Sequence, residues 1–127
     1  MARTNITSGT VWEDQVGYCR AVRVGNIVEV SGTTAVNEDN QLMGTTVYEQ
    51  TRFILQKIEK ALIEAGATMQ HVVRTRMFIT DISQWEEAGR AHGEVFRDIK
   101  PVSTMVEVSR LVRDDMLIEI EVSAIVE

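Results

Sequence analysis

Residues 101–127 read PVSTMVEVSRLVRDDMLIEIEVSAIVE. The stretch holds two alternating runs joined by a short polar turn, which predicts two β-strands. In the first, Val102, Thr104, Val106 and Val108 alternate with Ser103, Met105 and Glu107. In the second, Met116, Ile118, Ile120, Val122 and Ala124 alternate with Leu117, Glu119, Glu121, Ser123 and Ile125. Successive strand side chains point to opposite faces. Each strand thus has an apolar face and a face where carboxylates stand among apolar residues. Paired with one another, the strands would set Glu107, Glu119 and Glu121 on one face. Acids placed there are solvated, paired with a base or working on a ligand.

Outward from this stretch, the same periodicities organise the chain. Arg20–Arg23 and Asn26–Ser31 alternate on either side of Gly25-Asn26, the pattern of a hairpin. Residues 32–44 are rich in Thr, Asn, Asp and Gly and read as a loop. Thr46 and Glu49 are spaced as a capping box. Val47, Ile54, Leu55, Ile58, Ala61, Leu62 and Ala65 then recur at helical spacing up to Gly66. Residues 72–80 form a further strand, with Val73, Thr75, Met77 and Ile79 on one face and Val72, Arg74, Arg76 and Phe78 on the other. Ser83 and Glu86 suggest a second capping box. It would open a helix with Trp85, Ala88, His92, Val95 and Phe96 along one side, Trp85 anchoring it. That helix ends before Pro101, since proline disfavours helix in the preceding residue. Residues 1–15 read as an arm or edge segment.

The resulting order, ββ-α-β-α-ββ, is an α+β layout: one sheet with two helices on one face. The other face carries Arg74, Arg76, Glu107, Glu119 and Glu121 among apolar residues. That mixture suits closure by a second copy of the chain, and a homo-oligomer is expected; a solvated face is the alternative.

The 127 residues fit one domain spanning 1–127. A net charge of −6 leaves no broad basic surface, so nucleic acid is not an expected partner. Cys19 is the only cysteine, which excludes an intrachain disulfide and suits a reducing, cytoplasmic location. There is no apolar leader at the start and no run long enough for a membrane span. His71 and His92 form no HxH or HExxH spacing and there is no CxxC, so no metal site is expected.

The chain resembles the Rid family (RidA/YjgF, reactive intermediate deaminases, also labelled L-PSP endoribonucleases). The matching pieces are Gly25-Asn26 with Val30-Ser31-Gly32, Gln50-Thr51, Ala65-Gly66-Ala67, Val72-Val73-Arg74-Thr75, Asp81, Phe96, and Pro101 through Ile120 with Ile118-Glu119-Ile120-Glu121. The resemblance implies a chorismate-mutase-like α+β fold. It also implies a homotrimer with a central β-barrel and three clefts between subunits. In the best-known members those clefts hydrolyse imines or enamines of 2-keto acids, releasing ammonia, without metal or organic cofactor.

Carried over residue by residue, the resemblance makes Glu119 the carboxylate associated with the attacking water. Tyr18, Ser31 and Gly32 line the cleft, and Thr104 and Met105 supply backbone contacts. Ser103 departs from the pattern: the deaminase subgroup has an arginine there that grips the substrate carboxylate. Gly89 stands in place of an asparagine and His92 of a frequent tyrosine. Arginine holds a carboxylate by two charge-assisted hydrogen bonds, whereas serine offers one neutral donor. The exchange should weaken binding of a 2-imino acid roughly tenfold or more. Arg20 is the first candidate for a substitute, with Arg110 behind it.

Three functions compete. One is a cofactor-independent hydrolase acting on an imine, enamine or related carbonyl-type small molecule. A second is a non-catalytic trimer that binds a small molecule or a protein. The third, a ribonuclease, is disfavoured by the acidity of the chain. For Glu119 itself, an ion pair with Arg74 or Arg76 competes with the catalytic role.

Overall fold

The computed structural model describes residues 2–127. Six strands form one mixed sheet: β1 (Arg3–Ile6), β2 (Ala21–Val24), β3 (Ile27–Thr33), β4 (Val72–Ile79), β5 (Val102–Glu107) and β6 (Ile118–Ile125). The helices are α1 (Val11–Val16), α2 (Val47–Glu64) and α3 (Trp85–Phe96). The sheet order is β1-β2-β3-β6-β4-β5.

The two C-terminal strands do not pair with each other, contrary to the sequence expectation. β4 lies between them, antiparallel to β6 and parallel to β5. The parallel pairing follows from α3, since a helical crossover returns the chain to the same end of the sheet. The segment from Val108 to Leu117 is then long enough to pass β4. One consequence is that Glu107 leaves the acidic row. It is in register with buried Ile79, on the helix side, and its Oε1 accepts the Ile82 N–H at 3.0 Å.

The β2–β3 hairpin turns at Gly25-Asn26 as expected, with Gly25 at φ 61°. The edge segment is β1, paired with β2. The expected loop starts later than Gly32, because β3 continues past a register shift to Thr33. A second shift, between Val72 and Arg74, buries Val72 and exposes Val73, reversing their expected faces.

Thr46 and Glu49 form the complete capping box of α2. The second box does not form. Asp81 instead accepts the Ser83 N–H at 3.0 Å and hydroxyl at 2.7 Å, holding a 3-10 turn, and α3 starts at Trp85. Trp85 is 55% exposed and does not anchor that helix in the core.

The core lies between the sheet and the two longer helices. Ile54, Leu55, Ile58 and Leu62 of α2 and Ala88 and Phe96 of α3 meet Val28, Val30, Met77, Ile79, Ile118, Ile120 and Val122. Buried Gln50 ties α2 to the approach to β6, donating to the Asp115 carbonyl at 3.0 Å and accepting the Leu117 N–H at 2.9 Å.

Neither α2 nor α3 packs on the opposite face. Cross-strand register sets Val24, Ile27 and Ile125 in one row there, and Glu119, Phe78 and Val106 in another. Val24, Ile27, Val102, Val106 and Ile125 are each between 37% and 57% exposed, so this face has an apolar character unusual for solvated sheet.

Candidate functional site

Glu119 projects from β6 onto the uncovered face, directly over Gly32. The contact is close enough that a Cβ at position 32 would lie 3.0 Å from the Glu119 Cδ. Glycine leaves room for the carboxylate in this position, and a side chain there would push it aside; Gly32 has no unusual φ. Ser31, one residue earlier, donates its hydroxyl to the Cys19 carbonyl at 2.7 Å and its N–H to the Arg20 carbonyl at 3.0 Å. These bonds join the Tyr18–Arg20 segment to the end of β3. Arg20 Nη2 then donates to the Gly32 carbonyl at 2.7 Å, while its buried Nε has no partner. The Tyr18 ring lies beside the same guanidinium, 6.0 Å from its carbon.

The Glu119 carboxylate makes no hydrogen bond or ion pair among the described residues. The competing ion-pair reading is not realised, because Arg76 pairs with Glu121 instead, at 3.4 Å. Burial pushes the Glu119 carboxyl above its ordinary range; Arg20 opposes that rise and Glu121 adds to it. A carboxyl held unpaired, half-buried and shifted upward is suited to taking a proton from water.

Tyr18, Arg20, Ser31, Gly32 and Glu119 thus lie together. Ser103, Thr104 and Met105 do not join them within one chain. Ser103 and Met105 register with Thr75 and Met77 and face the helices, on the other side of the sheet from Glu119. Thr104 shares the open face with Glu119, but Arg76 and Phe78 of β4 stand between.

The Ser103 end has partners that the sequence reading did not connect. Thr75 Oγ1 donates to Ser103 Oγ at 2.7 Å and lies 2.9 Å from His92 Nε2. A threonine hydroxyl has one proton. With that proton on Ser103, Nε2–H must be the donor to Thr75, and the Ser103 proton is free for a ligand. His92 stacks against Phe96 with ring centroids 4.6 Å apart. Burial holds its imidazole below the ordinary histidine value, hence neutral near pH 7. The signal for this chain was present in the face shared by Thr75 and Ser103, but only once β4 and β5 are known to be neighbours. Lys57 was also missed. Its Nζ donates to the Thr34 and Val36 carbonyls at 2.8 and 2.7 Å, and burial first and Arg20 second lower its pKa to about 8. Arg110 is exposed and is not brought to the Glu119 cluster by any recorded contact.

Among the described residues no cluster of His, Cys, Asp and Glu is placed to hold a metal ion, and no helix is long and apolar enough to cross a membrane.

Sheet, helices and a glycine-seated glutamate together describe a small α+β protein of the YjgF type, and comparison with known proteins agrees. The family model described as Endoribonuclease L-PSP matches residues 12–126, and the chain belongs to this family. It is 34% identical to the uncharacterised protein SCO2049 of Streptomyces coelicolor over 119 residues, covering 94% of this chain and 89% of that protein. A RutC family protein, SSO3206 of Saccharolobus solfataricus, is 35% identical over 108 residues, covering 84% and 85%. Among solved structures, Rv2704 of Mycobacterium tuberculosis, of the YjgF/YER057c/UK114 family, is 47% identical. It superposes with a TM-score of 0.92 over 98% of this chain and 100% of that one. YyfA of Yersinia pestis, of the Rid family, is 31% identical with a TM-score of 0.85 over 98% and 100%.

Proposed function

We propose that the chain is a cofactor-independent hydrolase of imines or enamines, working in clefts between the subunits of a homotrimer. The observation that carries this is the unpaired, half-buried Glu119 seated on Gly32. In the proposed reaction Glu119 takes a proton from water as the oxygen attacks the C=N carbon. Glu119 passes that proton to the nitrogen, giving a carbinolamine; it then carries the carbinolamine's hydroxyl proton to the same nitrogen, the C–N bond breaks, and ammonia and a carbonyl product leave. Arg20, Ser31 and Tyr18 orient the substrate from one side.

The other side would come from a neighbouring copy. The apolar rows on the open face support association, and Ser103, Thr104 and Met105 lie too far from Glu119 in one chain to serve the same ligand. The substrate would be atypical for the deaminases, since Ser103 presents one hydroxyl proton and neutral His92 behind it.

The test is ammonia release from imines generated in place by an amino-acid oxidase. Acceleration that is lost in Glu119→Ala is the expected result. No acceleration across a panel of imines would overturn the catalytic reading.

A second reading, a trimer that binds a small molecule without turning it over, is favoured by the absence of a cation at Ser103. It predicts a ligand-induced rise in melting temperature with no ammonia. RNA cleavage is not expected from a chain of net charge −6; activity that survives repurification and falls in Glu119→Ala would reverse that view.

A further inference from the structure

A cleft of about 550 Å³ opens on the far side of Arg20, between the Thr7–Thr10 segment, the loop at 36–39 and α2. Glu119, Ser31, Gly32 and Ser103 do not line it; of the residues assigned to the reaction only Arg20 does. Its charges are layered. The cations Arg20 and Lys57 in its lining are half-buried, whereas Glu38, Asp39, Lys60 and Glu64 are exposed. Phe53, Val36 and Ala61 supply an apolar wall.

The two inner cations are incompletely satisfied. Lys57 uses two of its three protons on the Thr34 and Val36 carbonyls. Arg20 uses one N–H on the Gly32 carbonyl, and its Nε is buried without a partner. Neither is in an ion pair among the described residues, where Arg52, Lys60, Arg76 and Arg113 supply the bridging cations. The depressed pKa of Lys57 has the physical cause expected for like charges confined together: burial, then the field of Arg20. Among the exposed lining residues Lys60 already engages Glu38 at 3.3 Å, while Asp39 and Glu64 are in no ion pair among the described residues.

We propose that this cleft binds a small zwitterion of the α-amino-acid class, its carboxylate on Lys57 and Arg20 and its ammonium group toward Asp39 and Glu64. A plain cation is repelled by the inner pair and a dianion by the outer one. A molecule carrying both charges satisfies both layers, and its side chain meets Phe53. This binding is independent of whether the chain hydrolyses imines, but the two sites share Arg20. The guanidinium is what restrains the upward shift of Glu119. A carboxylate laid on Arg20 weakens that restraint, so occupancy of the cleft raises the Glu119 titration further. The coupling is reciprocal.

The experiment is a titration of the full chain, followed by backbone amide resonances, with L-alanine, propionate and L-alanine amide. L-alanine should move the resonances of the Thr7–Thr10 segment and of the 36–39 loop. Propionate, lacking the ammonium group, and the amide, lacking the carboxylate, should each bind about tenfold or more weakly. Lys57→Met should abolish the response. Gln56→Trp fills the cleft from its exposed wall without touching the lysine bonds, and should abolish it too, even where Lys57→Met fails to fold. The carboxyl carbon resonance of Glu119 should titrate at higher pH with L-alanine bound. Propionate binding as well as L-alanine, binding that survives Gln56→Trp, or no response in the cleft overturns the proposal. Ammonia release plays no part in these readouts, so a failed imine assay leaves the outcome intact.

Discussion

Replacing Gly32 by alanine probes the seat of Glu119 directly. The three heavy atoms nearest the added Cβ all belong to the Glu119 side chain, with Cδ at 3.0 Å and Cγ at 3.4 Å. The methyl therefore forces the carboxylate aside and disturbs little else. Because the atoms displaced are the end of a flexible, half-buried side chain, the cost lies at the low end of the about 1–3 kcal/mol of overpacking. Loss of glycine's freedom in the unfolded chain offsets about 0.4–1 kcal/mol of it. In a Glu119→Ala background the obstruction is gone, so the steric cost should vanish while the unfolded-state effect stays. Urea unfolding of the wild type, both single variants and the double variant gives the coupling, which equals the steric cost alone and is expected at about 1 kcal/mol in favour of the double variant. In the imine assay, Gly32→Ala should lose about a hundredfold in rate with its circular dichroism unchanged, as a carboxylate displaced by about 1 Å is poorly aimed. Additivity within about 0.3–0.5 kcal/mol would show that Gly32 and Glu119 are not in contact, and would refute the geometry on which the site rests.

Further outcomes follow from the same structure. Gln50→Leu strips partners from the Leu117 N–H and the Asp115 carbonyl, and should cost about 2–4 kcal/mol in denaturant unfolding. The raised pKa of Glu119 means the folded chain holds its proton more tightly than the unfolded one. Stability is thus lost as pH rises through the folded value, and Glu119→Gln should be more stable than the wild type at pH 7.5. That difference should close below the unfolded carboxyl pKa of about 4.3; a constant difference across pH would contradict the shift. Ile27→Asp places a charge in the apolar row of the open face and should shift the sedimentation of the chain from the proposed trimer toward the 14.3 kDa monomer.

The alternation of residues 118–125 and the capped helical pattern from Thr46 to Gly66 identified the central strand and the main helix without ambiguity. Local patterns do not encode which strands become neighbours. Val102–Glu107 has the same period whether it pairs with the strand after it or, as found, with the strand before α3. That choice moved Glu107 off the acidic row and brought Thr75 and His92 to Ser103. The exchange of Val72 and Val73 came from a bulge, which no alternation rule reports. At the site, Tyr18, Ser31, Gly32 and Glu119 came from a family resemblance and Arg20 from its nearness to Tyr18 in the sequence, and the structure adds the contact between Gly32 and Glu119. Lys57 was hidden because a lysine on an amphipathic helix reads as solvated. Only the carbonyls of Thr34 and Val36, supplied by a distant loop, draw it inward.

The claim on which the rest depends is that each reaction cleft takes Glu119 from one copy and the Ser103–Met105 edge from another. Glu119→Ala removes one half, and Ser103→Trp should block the other. Neither variant alone should accelerate ammonia release from imines. Co-refolded in equal amounts, they form mixed trimers in which about a quarter of the clefts join an intact glutamate to an intact Ser103 edge, restoring that share of the activity. A mixture as inactive as its components would place both halves of the site in a single chain and contradict the account.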